Sequence, residues 1–294
     1  MASGSTSSAS LADSLPKVIS SARTTREQKG GIQQLCERHT LGEGIGNDWN
    51  EITLPQLSAQ RITETTELDN PQQITDTISS ITPTMVAVQT RVTDRTARRI
   101  SKNVYALIGK LAQEALERLI DEDGVAILDT GATTASPGAG AVLTTGNISA
   151  AKVNASSDTT EPAMPPFRCA LHGWQMHDLH SELVAGVGTY PIGEGPTADV
   201  LRQGFMISSI ASCSIHENGN ISIDAVTGDA IGGVFAQEAI LYIQGKAPWG
   251  KVVDKPYYGG GATDILLYAE YAYGTRGQSS WVQELKSDAT APTG

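Results

Sequence analysis

An α+β fold is what this sequence predicts, on three observations. One long amphipathic helix can be read over "KNVYALIGKLAQEALERLIDEDGVAILDTGA". Strand-forming runs follow it through the second half, without the regular alternation with helices that a parallel sheet requires. Ahead of it, residues 52–92 favour extended structure yet hold too few large apolar side chains to cover themselves.

Taken in order, residues 1–50 are rich in Ser, Thr, Gly and Gln, with one short amphipathic piece at "IQQLCERH". Such a segment has no core of its own and reads as an arm lying on other protein. The stretch "ITLPQLSAQRITETTELDNPQQITDTISSITPTMVAVQTRV" comes next, dense in Thr, Ile and Val. Asp69-Asn70-Pro71 marks a turn near its middle, which predicts two long antiparallel strands over 52–92. Arms of ~15–20 residues would reach about 50–65 Å. A lone two-stranded hairpin is marginal in water, so this one needs cover from elsewhere.

In the helix, Val104, Leu107, Ile108, Leu111, Ala115 and Leu119 fall on one face, and Ala112, Leu116 and Ile120 widen the stripe. Gly124 offers one stop, but Asp121, Glu122 and Asp123 would then crowd the negative end of the helix dipole. Running on to Thr130, with Gly131 as a left-handed cap, avoids most of that conflict. Residues 131–166 are Gly, Ala, Ser, Thr and Pro around a short helix at "ISAAKVNA". "FRCALHGWQ" reads as a strand and "MHDLHSELV" as a helix. "GFMISSIASCSI", "NISIDAV", "EAILYIQG" and "DILLYAEYAYG" read as further strands between Gly-rich loops.

Composition limits the function. Net charge is −11, with the excess wholly in residues 121–294, which disfavours a general nucleic-acid binder. One basic cluster, Arg91, Arg95, Arg98, Arg99 and Lys102, reads as a solvated helix face or an inter-subunit ion-pair site. Cys36, Cys169 and Cys213 are odd in number and form no Cys-x-x-Cys pair, which points to reduced thiols. The N-terminus lacks the charged start and apolar core of a secretory leader, and no apolar run approaches the ~18 residues of a membrane span.

Three motifs suggest chemistry and do not complete it. Asp129-Thr130-Gly131, after an apolar run, resembles the catalytic loop of aspartic proteases. That chemistry needs two carboxylates sharing a proton, and no second Asp-Thr-Gly or Asp-Ser-Gly is present, so only a homodimer would supply it. "GKAPWGKV", Gly245 to Val252, has phosphate-loop spacing, but Val252 replaces the hydroxyl that would hold magnesium and no helix follows, so it reads as a loop. Cys169, His172, His177 and His180 are close in sequence. On a strand, however, Cys169 and His172 face opposite ways, and His177 with His180 makes only two ligands. No catalytic, cofactor-binding or metal-ligating set is assigned.

The order of arm, hairpin, long helix and α+β remainder resembles the major capsid proteins of tailed bacteriophages, the Hong Kong 97-like fold. "FRCALHGWQMHDLHSEL" looks like the family's axial strand–helix unit. "LRQGFMISSIASCSI" looks like its later strand, and "GGATDILLYAEYAYGTRGQSSWVQELKSD" like its closing strands. The resemblance implies an N-terminal arm at 1–50, an extended hairpin loop at 51–94 and a peripheral domain with its spine helix at 95–165. An axial domain at 166–255 and a return to the peripheral domain at 256–294 complete it.

It further implies a subunit tiling hexamers and pentamers of an icosahedral shell around double-stranded DNA, located in the virion and assembled in the host cytoplasm. Separate scaffolding, portal and cement proteins are implied as partners, since a 50-residue arm is too short to hold a scaffolding domain. The isopeptide lock used by some relatives needs a hairpin lysine, and none lies between Lys29 and Lys102. An encapsulin-type cage of the same fold is the alternative within this class; the homodimeric protease on Asp129 is the alternative outside it.

Overall fold

In the computed structural model the chain borders a sheet at Ser5–Thr6 that it completes only at Ala262–Thr275. The residues described are 5–6, 30–44, 46–65, 67, 69, 71–100, 104–187, 209–276 and 279–292. The elements in order are β1 (Ser5–Thr6), α1 (Ile32–Leu35), β2 (Glu37–Thr40), β3 (Trp49–Thr53), β4 (Thr77–Ile81), β5 (Thr84–Thr93), α2 (Asp94–Ile100) and α3 (Val104–Ala126). Then come α4 (Thr145–Ser156), β6 (Phe167–Leu171), α5 (Gly173–Val187), β7 (Ser209–Ile210), β8 (Cys213–Glu217), β9 (Asp229–Ala236), β10 (Ile240–Lys255), β11 (Ala262–Thr275) and β12 (Val282–Asp288). This is the α+β arrangement expected from the sequence.

The first sheet has the order β1-β5-β11-β10-β2, antiparallel in its middle and parallel at both outer pairings. The second is β12-β9-β6-β8-β7. Helix α3 lies on β11 and β5, and α4 lies on β12 and β9. One continuous core joins the two sheets: Ile32 from the arm, Leu116 and Ile120 from α3, Ile148 from α4, Phe235 from β9 and Leu285 from β12. Burial of each such side chain contributes roughly 1.5–3 kcal/mol.

The helix is present, but its ends and its buried face differ from expectation. Ala112, Leu116 and Ile120 are buried, whereas Leu111 and Leu119 are each 38% exposed. The face assigned as the edge of the stripe is thus the one that meets the sheet. Gly124 lies inside α3, because a Cβ there would stand 2.4 Å from Ile32 Cγ2 and 2.9 Å from the Tyr273 ring. The α-helix stops at Ala126, and a 3-10 turn carries Ile127–Thr130. Gly131 is not a left-handed cap: its backbone is extended, at φ −72°, ψ 169°. Glycine is needed there because a Cβ would sit 2.8 Å from Val282 O, where the chain crosses β12.

The hairpin also differs. Only β3 and β4 pair, over five residues each, from Trp49↔Ile81 to Thr53↔Thr77. Among the described residues of 54–76 there is no strand; Asn70 of the expected turn lies outside them. β5, taken as the second hairpin strand, instead pairs with β11 along its whole length. The strand expected through 167–175 ends at Leu171, and the helix begins at Gly173. "GKAPWGKV" is not a loop but part of β10, with register shifts on either side of Lys246. "NISIDAV" forms only an isolated bridge, Ile223↔Ala230. Within "GFMISSIASCSI", β7 and β8 turn back on each other at Ala211 and Ser212, both at positive φ, and 204–208 lie outside the described residues.

Candidate functional site: surfaces for assembly

Among the described residues, exposed large aliphatic side chains concentrate on β3, β4 and the segment between them. Ile52, Leu54, Leu57, Ile62, Ile74 and Ile78 are 54–63% exposed. Six large aliphatic side chains on one short hairpin and its loop exceed the scattered apolar residues that a free surface normally shows. Across the loop, Ser58 N donates to Gln72 Oε1 (2.9 Å) and Ser58 O accepts from Gln72 Nε2, while Gln56 Nε2 donates to Thr160 O after α4.

Its root is fixed more firmly. Arg276, just past β11, donates through Nη1 to Glu37 Oε2 of β2 (2.9 Å) and through Nε to Glu51 Oε1 of β3. His39 bridges Glu37 at 3.0 Å and stacks on Trp49 at 4.5 Å between ring centroids. Ile81 packs with Leu241 and Ile243 beneath them. The guanidinium fork, planar and always charged, holds two strands with one side chain. No local sequence signal marks Arg276 for this role, because its partners lie 225 and 239 positions away.

A second fastening gathers the arm, α3 and the β8–β9 loop on Asp121. This buried carboxylate accepts from Ile32 N (2.9 Å), Asn218 Nδ2 (2.6 Å) and Asn220 Nδ2 (2.9 Å). Burial, and then the charge of Asp121, push the nearby Cys36 thiol up to about 12. The acidic run that looked unfavourable near the helix end therefore has specific partners. Asp123 accepts from the Tyr271 hydroxyl (2.6 Å), and Glu122 pairs with Arg118 at 3.3 Å.

The sequence motifs separate in space. Asp129 is exposed on the 3-10 turn after α3, not on a loop between strands. Thr130 Oγ1 donates to Ile127 O (2.7 Å), closing that turn. The carboxyl it does influence is Glu284, whose pKa is raised first by burial and then by the charge of Asp129. Cys169 and Cys213 stand on neighbouring strands, both buried and free; a hydrogen bond between the thiols, then burial, raises the pKa of Cys169. His172 precedes α5 and accepts from Trp174 N at 3.1 Å, with burial lowering its pKa. Among the described residues no group of three or more His, Cys, Asp or Glu is placed to hold a metal. Among them, too, no helix is long and apolar enough to cross a membrane.

No protein-family model and no curated protein matches the sequence. Solved structures do match. A chain in the head structure of Helicobacter pylori bacteriophage KHP40 agrees over 92% of this chain and 95% of its own, with TM-score 0.70 and 13% identity. A chain of Mycobacterium phage Che8 agrees over 90% and 94%, with TM-score 0.68 and 15% identity. One in the capsid of cyanophage P-SCSP1u agrees over 95% of both, with TM-score 0.66 and 13% identity. This chain has the Hong Kong 97-like capsid fold. Because the capsid fold is shared at such low identity, what is common is backbone architecture rather than any set of side chains.

Proposed function

We propose that this chain is a structural shell subunit, many copies of which tile hexamers and pentamers of an icosahedral capsid around double-stranded DNA. The observation that carries the proposal is the hairpin: six large aliphatic side chains stand in solvent on β3, β4 and the loop between them, whose root is locked by Arg276. A locked root with an uncovered tip is suited to bury that tip on a neighbouring copy. The capsid fold of the phage structures it matches supports the same reading.

The segments 1–50, 51–94, 95–165, 166–255 and 256–294 act as arm, hairpin, peripheral domain, axial domain and peripheral return. The shell is located in the virion, is assembled in the host cytoplasm and uses separate scaffolding and portal proteins, with cement proteins where the lattice needs them. With a net charge of −11, DNA is held by confinement rather than by sequence-specific contact. The role requires no catalytic residue. With no lysine from 30 to 101, a lysine-based covalent lock from the hairpin is not available.

Negative-stain microscopy of the expressed protein tests the reading. Closed or tubular particles are expected, and a uniform small dimer would overturn it. Analysis of particle contents distinguishes a capsid holding DNA from an encapsulin-type cage holding enzyme.

A further inference from the structure

Helix α5 begins on a residue outside the usual capping set of Ser, Thr, Asp and Asn. His172 O accepts from Met176 N at 3.1 Å, the first bond of the helix, which makes His172 the N-cap. Its side chain caps as well, because Nδ1 accepts from Trp174 N at 3.1 Å. In return, His172 N donates to Gln175 Oε1 at 3.0 Å. His172-Gly173-Trp174-Gln175 is thus a reciprocal capping box with an imidazole in place of the hydroxyl. Gln175 is fully buried, and its Nε2 donates to Ala230 O (3.0 Å), Leu285 O (3.3 Å) and Ser287 Oγ (2.7 Å). The box therefore pins the start of α5 to β9 and β12.

Unlike a hydroxyl or a carboxamide, this acceptor takes up a proton in the range of about pH 5–8. A backbone N–H can only donate, so Nδ1 must be bare while the bond exists, and the neutral ring carries its proton on Nε2. A proton on Nδ1 would set one N–H against another and place positive charge at the positive end of the helix dipole. The charged side chain facing the ring is Glu217, at the end of β8, which favours the proton. Burial opposes it more strongly, so the His172 pKa is lowered. From α5 the ring meets Trp174, edge-on at 5.2 Å between centroids, and Gln175, neither of them charged.

We infer that this box is an acid-operated clasp: proton uptake at His172 Nδ1 releases the Trp174 amide and loosens the start of α5 from β9 and β12, and proton loss reseats it. The clasp goes beyond the shell reading and works within a single subunit. Its sign follows from the folded state's preference for the neutral ring. The contribution is complete above the unfolded histidine value near ~6.5 and is lost as pH falls through it toward the lowered folded value.

Amide hydrogen exchange of the full-length, unassembled subunit tests this at about pH 7.5 and about pH 5, with rates corrected for intrinsic exchange. Protection of the Trp174 amide should fall about tenfold in acid relative to the β9 amides. His172→Asn, which caps without titrating, should keep that protection at both pH values, and His172→Ala should lack it at both. His216, whose pKa is lowered by burial and then by Arg168, titrates in all three proteins and cancels in the comparison. Equal acid losses in wild type and His172→Asn, or full protection in His172→Ala at neutral pH, overturn the clasp. Nitrogen-15 shifts of the wild-type His172 ring give a readout that needs no variant. A bare Nδ1 at neutral pH is expected, and a protonated one overturns the clasp even if His172→Asn does not fold.

Discussion

Replacing Asp121 by alanine should cost about 3–5 kcal/mol and release the arm from the spine. Three donors converge on this carboxylate: Ile32 N, Asn218 Nδ2 and Asn220 Nδ2, at 2.6 to 2.9 Å. Hydrogen bonds to a charged acceptor contribute roughly 1.5–3 kcal/mol each, and donors left buried lose their hydration as well. The three share one acceptor, so their sum overstates the loss, and relaxation of the surface loop returns part of it.

The assay is urea unfolding of the unassembled subunit, followed by circular dichroism, with hydrogen exchange at the Ile32 amide. The variant's midpoint should fall at unchanged slope, and Ile32 protection should fall further than that of the β9 amides. A loss under 1 kcal/mol with Ile32 protection intact would refute the idea that Asp121 holds the arm.

Leu116→Ala should cost about 2–5 kcal/mol, whereas Leu111→Ala on the exposed face should cost about 1 or less in the unassembled subunit; equal costs in urea unfolding would contradict the orientation of the helix. Burial and the charge of Asp129 raise the Glu284 pKa, so folding favours its protonated form. That contribution is present below the unfolded value near ~4.3 and is lost as pH rises through the raised folded value. Glu284→Gln should therefore flatten the decline in melting temperature over that window; an unchanged profile counts against the shift. Trypsin should cut unassembled protein at Arg61, sparing Arg91 in its pair with Asp264, and should cut particles slowly. Equal rates at Arg61 in both states would remove the hairpin from the assembly surface.

The spine helix, α4 and β11 were legible because periodicity is a local property. Which stripe of α3 meets the sheet was not, since Leu111 and Leu116 lie on adjacent stripes and only tertiary packing chooses between them. β9 escaped notice because Gly232-Gly233 interrupts its apolar run. The glycines serve close packing: a Cβ on Gly232 would stand 2.6 Å from Ala170 O. The later half of β10 contains Pro248 and Gly250, which argue against a central strand. There it pairs with β11 on one side, beyond the reach of β2, and an edge tolerates both residues. Asp121 and Arg276 were invisible for a different reason: each is defined by partners far away in the chain, and a lone acid or base carries no mark of them.

The lock at the hairpin root sets an order of events during synthesis. The hairpin leaves the ribosome among the first 81 residues, yet Arg276, which fixes Glu51, is made 225 positions after its partner. At roughly 5–20 residues per second that interval is about 10–45 s. Throughout it, the hairpin root lacks Arg276 and stands beside a sheet that still lacks β10 and β11. A nascent chain therefore lacks the contacts that set the hairpin's final angle. The final geometry of the hairpin root is set by the last strands of the chain.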